Sequence, residues 1–182
     1  MTVDGGARAA RRRRERWARR FRPAEIDLLV VAEAPPSELD RYFYFPDVTT
    51  QDSLFRELAA LTVRRAPTRE NKPELLDALC GAGVFLVDLS LEPIERGEDL
   101  SPYVPGLVRR VRRLAPRCVI LVKVTVYDAA FEALLSAGLP VVNERIPFPG
   151  TGQQVNFRSA FARALRKGQR VARGQAKTNA HG

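Results

Sequence analysis

The sequence predicts an α/β domain: a three-layer αβα sandwich around a central, four-stranded, mostly parallel sheet. Short uninterrupted runs of apolar, β-rich residues recur along the chain, and such runs suit parallel strands covered on both faces. Between them lie segments of helical periodicity, so each strand-to-strand step is a right-handed crossover with helices clothing the sheet. A length of 182 residues fits one such domain with extensions.

Residues 1–22 read as a basic N-terminal helix or extension. Trp17 and Phe21 stand four apart on one face, where they can dock it, and Pro23 ends it. Residues 26–32 (IDLLVVA) are the first strand. Thr49 and Asp52 offer a capping box to a helix whose Leu54, Leu58 and Leu61 form one stripe. The next helix has Pro73 in its first turn, Leu75, Leu76 and Leu79 on its apolar face, and Gly81 at its end. Residues 84–89 form the second strand. Pro102 and Pro105 open a helix that turns Leu107, Val111 and Leu114 inward and Arg109, Arg110, Arg112 and Arg113 to water, and Pro116 closes it. Residues 118–124 (CVILVKV) are the third strand. Thr125 and Asp128 cap a helix that stops at Gly138, and residues 139–143 make a short fourth strand. Thr151 with Gln154 caps a last helix bearing Phe157, Phe161 and Leu165. The domain body is thus 23–167, followed by a polar, basic tail, 168–182, expected to be disordered.

Composition narrows the function classes. No apolar run approaches the roughly 20 residues needed to span a bilayer, and the basic N-terminus lacks the apolar stretch of a secretory signal, so a cytoplasmic protein with no membrane partner is expected. Cys80 and Cys118 each lie in apolar surroundings, which points to buried thiols and to no metal cluster or other cofactor. The net charge of +9 is unevenly spread. Residues 1–22 hold nine Arg against Asp4 and Glu15, the last seventeen residues are basic, and the body between is mildly acidic. Basic ends on an acidic body suit contact with a polyanion such as DNA; the abundance of Arg and Ala also fits a GC-rich coding bias. A monomer is expected.

Ligands of such folds bind beyond the carboxyl ends of the strands. The first strand runs into Ala32-Glu33-Ala34-Pro35-Pro36-Ser37 and then Tyr42-Phe43-Tyr44-Phe45-Pro46. The second ends at Asp88, and the fourth leads into Ile146-Pro147-Phe148-Pro149-Gly150-Thr151-Gly152-Gln153-Gln154. Glycines before a capped helix suit a phosphate cradle, because backbone amides and the helix N-terminus point outward there. The competing readings are that the same glycines only form a tight strand-to-helix turn, that Glu33 merely caps a turn, and that the aromatics pack on the sheet edge.

The order and placement of these loops resemble the uracil-DNA glycosylase superfamily over about residues 24–167. The turn after the first strand is similar to the family's Gly-Glu-Ala-Pro-Gly-like motif, with Ala32 and Pro36 in glycine positions. The resemblance implies base excision from DNA, with Glu33 and Asp88 catalytic, and with Pro35, Phe43, Phe45 and Asn143 around the base. It places Arg145, Gly150, Thr151, Gly152, Gln153 and Gln154 on the DNA phosphates. Excision passes through an oxocarbenium-like transition state, for which a carboxylate that positions water is the natural partner. The last loop is similar to the family's His-Pro-Ser-Pro-like motif, but proline register puts Ile146, and strand register Asn143, in the histidine position. The single histidine, His181, lies in the tail. The remaining readings are a non-catalytic nucleic-acid-binding module and a small nucleotide- or phosphate-binding enzyme.

Overall fold

The computed structural model describes residues 3–47, 53–68 and 70–179. Among these, a parallel three-stranded sheet is flanked by six α-helices. The order along the chain is α1 (Val3–Arg20), β1 (Leu28–Ala32), α2 (Ser53–Leu58), α3 (Lys72–Gly81), β2 (Val84–Asp88), α4 (Val104–Leu114), β3 (Val119–Leu121), α5 (Val124–Ser136) and α6 (Gln154–Asn179). α2 widens into a π turn at Ala59–Val63, and a short 3-10 turn at Ser101–Tyr103 leads into α4. The proposed Thr49–Asp52 capping box lies outside the described residues.

β1 is central, with β2 and β3 on either side. All five of its residues are buried, the expected state for a parallel strand covered on both faces. Register runs from Leu28 opposite Val84 to Ala32 opposite Asp88, and from Leu29 opposite Val119 to Val31 opposite Leu121. The expected fourth strand is not formed, so the sheet has three strands rather than four. Residues 139–146 run beside β3 but meet it only through single bridges, Val119 to Val141 and Val122 to Ile146. Three steps along β3 are therefore matched by five along this segment. The slack is taken up by a tight turn between the two bridges, with Glu144 N–H donating to the Val142 carbonyl. A continuous ladder cannot survive two surplus residues.

Several elements also end, or face, differently from the sequence expectation. β3 stops at Leu121 because Lys123 already precedes the first turn of α5, and neither Thr125 nor Asp128 caps that helix. α6 begins at Gln154, with Thr151 in the turn ahead of it. The tail expected to be disordered instead continues α6 to Asn179, and residues 180–182, including His181, lie outside the described residues. Gly168, which reads locally as a stop, lies inside that helix. It is buried, and a Cβ built on it would come within 2.4 Å of Cys118 Sγ. Glycine stands there so that the helix can approach the start of β3. α1 is a docked element: Phe21 is buried, stacks on Trp17 and Tyr44, and lies in the same core as the sheet.

Candidate active site at the strand ends

The parallel ladder continues one step past the formal strands. Leu89 N–H donates to the Ala32 carbonyl and Ser90 N–H to that of Glu33. This fixes the Glu33 backbone at the carboxyl end of the central strand, beside Asp88, the last residue of β2. From the opposite flank the Glu33 carboxylate is held twice. Thr125 Oγ1 donates to Oε1 at 2.8 Å, and Lys123 Nζ donates to Oε2. The pair is partly screened, with side chains 39% and 23% exposed.

Lys123 is the unusual residue of this group. Its backbone sits at φ 82°, ψ 133°, a left-handed region that glycine tolerates and a lysine enters only under constraint. The constraint is visible in the hydrogen bonds around it: Val122 N–H is tied to the Val31 carbonyl, while Val126 and Tyr127 N–H both donate to the carbonyl of Lys123. The chain must leave the sheet and enter α5 within one residue, and Lys123 absorbs the bend. Local pattern alone places this lysine within a strand. The available signal is a single charge closing an otherwise apolar run.

Glu33, Asp88 and Lys123 open onto a cavity of about 360 Å³. Its other walls are largely apolar: Ala32, Pro35, Phe43, Leu54 and Leu86, with Phe148 at 40% exposure. Lys72 lines it as well. That side chain is fully buried, with Nζ donating to the Tyr42 carbonyl at 3.3 Å and lying 4.7 Å from the centre of the Phe55 ring. In a chain that otherwise relies on arginine, two of its four lysines border one cavity. An apolar hollow with a few convergent charged groups at strand ends is the usual form of a small-ligand site. Among the described residues no group of three or more His, Cys, Asp or Glu is placed to hold a metal ion.

The remaining candidates scatter. Phe43 reaches the cavity, but edge-on contacts with Tyr44 and Phe55 bury it to 6% exposure. Phe45 is equally buried, covered by the Arg13 guanidinium 4.3 Å from its ring, and does not line the cavity. The reason is the outer edge of β2. Tyr44 hydroxyl donates to the Leu86 carbonyl and accepts from Leu86 N–H, so one side chain stands in for a missing strand. The aromatic run covers an edge. Burial without solvent raises the Tyr44 hydroxyl well above its ordinary pKa, which keeps it available as donor. Phe148, bracketed by Pro147 and Pro149, is the ring left accessible at the rim.

Asn143 and Arg145 lie away from the cavity lining. Tyr127 hydroxyl donates to Asn143 Oδ1, and Arg145 pairs with Asp128 at 2.9 Å. Ile146 is buried in the core. Gly150, Thr151, Gly152, Gln153 and Gln154 form the turn into α6, with Gly152 at φ 78° and Gln153 N–H bonded to the Gly150 carbonyl. They begin two residues after Phe148 but do not line the cavity. Arg110, expected to face water, is half-buried and donates to the carbonyls of both Asp88 and Leu89, bracing the end of β2.

Fold and site together define a mixed α/β protein with a strand-end cavity built around a braced carboxylate. No protein-family model matches the chain, and no curated protein matches it.

Proposed function

We propose that this protein hydrolyses the N-glycosidic bond of an altered base in DNA, on an αβα scaffold of the uracil-DNA glycosylase type. One observation carries the reading: Glu33, braced by Lys123 and Thr125, faces a largely apolar strand-end cavity whose rim bears the accessible Phe148 ring. About 360 Å³ lies at the small end of ligand pockets and suits a base turned out of its stack. The C1′–N bond breaks with its electron pair leaving on the base. Water then adds to C1′ while Glu33 orients it and accepts its proton. Asp88 offers an acceptor to the base edge. Lys123 supplies positive charge near a departing anionic base, the part that a histidine at Ile146 or Asn143 would otherwise play. The 150–154 turn and Arg145 contact the DNA strand outside the cavity.

A non-catalytic nucleic-acid-binding module is the second reading. It is favoured by the fact that both oxygens of Glu33 are already engaged by protein groups. One experiment separates the two. Duplex and single-stranded oligonucleotides carrying uracil, hypoxanthine, xanthine or alkylated bases are incubated with the wild type and with Glu33→Gln, then cleaved at abasic sites. Base release by the wild type, lost in Glu33→Gln while binding persists, supports the hydrolase. Binding without release from any substrate leaves the module.

A further inference from the structure

A second cavity, of about 370 Å³, lies between α1 and α4. Pro35, Tyr42, Leu86 and Asp88 border both hollows, so the two are neighbours across one wall. Its lining differs sharply. Arg11, Arg14, Arg19 and Arg22 come from α1 and the residues just after it, Arg110 and Arg113 from α4, and only Glu15 and Asp88 oppose them. With Glu15 and Ala18, which line the cleft beside them, the α1 positions recur at three- and four-residue spacing, which sets them on one helical face.

Structural duties account for only part of this charge. Arg14 is buried and serves the fold, donating to the Leu91 carbonyl and Glu92 Oε2. Arg11 pairs with Glu15 at 2.8 Å, and Arg110 braces the end of β2. Arg19, Arg22 and Arg113 are exposed and form no ion pair among the described residues. Arg110 Nε is buried without a hydrogen-bond partner. Burial, and then the charges of Arg11, Arg113 and Arg109, hold the Arg110 guanidinium below its ordinary pKa against the opposing pull of Asp88. Six guanidinium groups against Glu15 and Asp88 leave a cationic excess, and gathered cations that repel one another gain most from a ligand that brings negative charge.

The geometry points to a phosphate-binding cleft, in which Arg19, Arg22 and Arg113 grip phosphate oxygens of a nucleotide or nucleic-acid strand beside the strand-end cavity. Guanidinium forks match phosphate oxygens in pairs, which a single lysine charge does not. The neighbouring apolar hollow suits the uncharged part of the same kind of molecule. The inference requires binding alone and stands whether or not any base is released.

The test uses the full chain and a fluorescent single-stranded thymidine oligonucleotide, with affinity measured across salt concentrations. The substitutions Arg19→Gln, Arg22→Gln and Arg113→Gln are combined. A control of equal charge combines Arg12→Gln, Arg16→Gln and Arg112→Gln, exposed positions on the same helices that do not line the cleft. The cleft set is expected to weaken binding at least about tenfold and to flatten the salt slope by about two, roughly 0.7 for each phosphate that is no longer neutralised. The control set changes affinity far less. Thymidine monophosphate and inorganic pyrophosphate serve as competitors: displacement at comparable concentration assigns the cleft to free nucleotides, and failure to displace assigns it to the strand backbone. On the wild type, the oligonucleotide is also expected to shield Arg19, Arg22 and Arg113 from phenylglyoxal, a readout that does not depend on the variants folding. The inference is overturned if no probe binds, if the control set is as damaging as the cleft set, or if polyglutamate of equal charge displaces the oligonucleotide as well as DNA does.

Discussion

Replacing Lys123 by Gly and by Ala separates backbone strain from side-chain chemistry at the strand ends. A non-glycine residue at φ 82°, ψ 133° stores about 1–3 kcal/mol. Against this, the Lys123–Glu33 pair is 39% and 23% exposed, and pairs screened to that degree contribute about 0–1 kcal/mol. Lys123→Ala keeps the strain and loses the pair, so it falls below the wild type by up to about 1 kcal/mol. Lys123→Gly loses the same pair but relieves the strain, at an entropic cost of about 0.5–1 kcal/mol. The glycine variant is therefore expected to exceed the alanine variant by about 0.5–2 kcal/mol and to lie near or above the wild type. Urea unfolding followed by circular dichroism resolves this, since about 1 kcal/mol moves the midpoint by roughly half a molar at an ordinary slope. Both variants are expected to lose any base release, because Glu33 loses its cationic brace. An alanine variant as stable as the glycine one would refute the strain argument. Full release activity in either would remove Lys123 from the site.

Phe148→Ala is expected to leave the unfolding midpoint nearly unchanged, since the ring is 40% exposed, while oligonucleotide affinity drops by about 1–3 kcal/mol for a lost stacking platform. Phe45→Ala shows the reverse, a stability loss of about 3–5 kcal/mol from an emptied core position; equal effects on binding would put the base elsewhere. Gly168→Ala places a Cβ within 2.4 Å of Cys118 Sγ, an overpacking cost of about 1–3 kcal/mol set against a helical gain of about 1 kcal/mol. In a Cys118→Ala background the nearest remaining contacts are 3.6 Å, so the same substitution is expected to raise the melting temperature; an identical sign in both backgrounds would refute the close approach. Burial alone would raise the Glu144 carboxyl, but hydrogen bonds and charge from Lys167 and Arg163 outweigh it and hold its pKa below the ordinary value. A depressed pKa contributes stability above about pH 4.5 that disappears as pH falls through the folded value. The stability gap between wild type and Glu144→Gln should accordingly close in that acid window, and a gap independent of pH would show that the carboxylate charge is not what anchors α6.

The candidate site is legible in part. Glu33 and Asp88 stand out because strand ends are marked by where an apolar run meets its first charge, and both line the cavity. Lys123 obeys the same rule but reads as part of its strand, since nothing local announces that the chain bends within one residue. The aromatic run 42–45 offers two readings of equal merit, base platform or sheet edge. Its placement depends on a hydroxyl meeting Leu86 some forty positions away. Phe148 escapes notice for the opposite reason: its neighbours in sequence give no sign that the core has no room for it.

What the sequence determined by itself was the alternation of buried strands and amphipathic helices, because periodicity, prolines and glycines act over a few residues and are written locally. The tertiary structure alone decided where each element ended and which charges met. A fourth strand failed for want of register with β3, a relation between two segments rather than a property of either. Gly168 reads as a stop until Cys118 is seen beneath it. The arginines of α4 read as solvated charge, and those of α1 as polyanion contact or coding bias, until the fold sets the two helices on either side of one cleft, since mutual repulsion and burial arise only between groups that folding brings together.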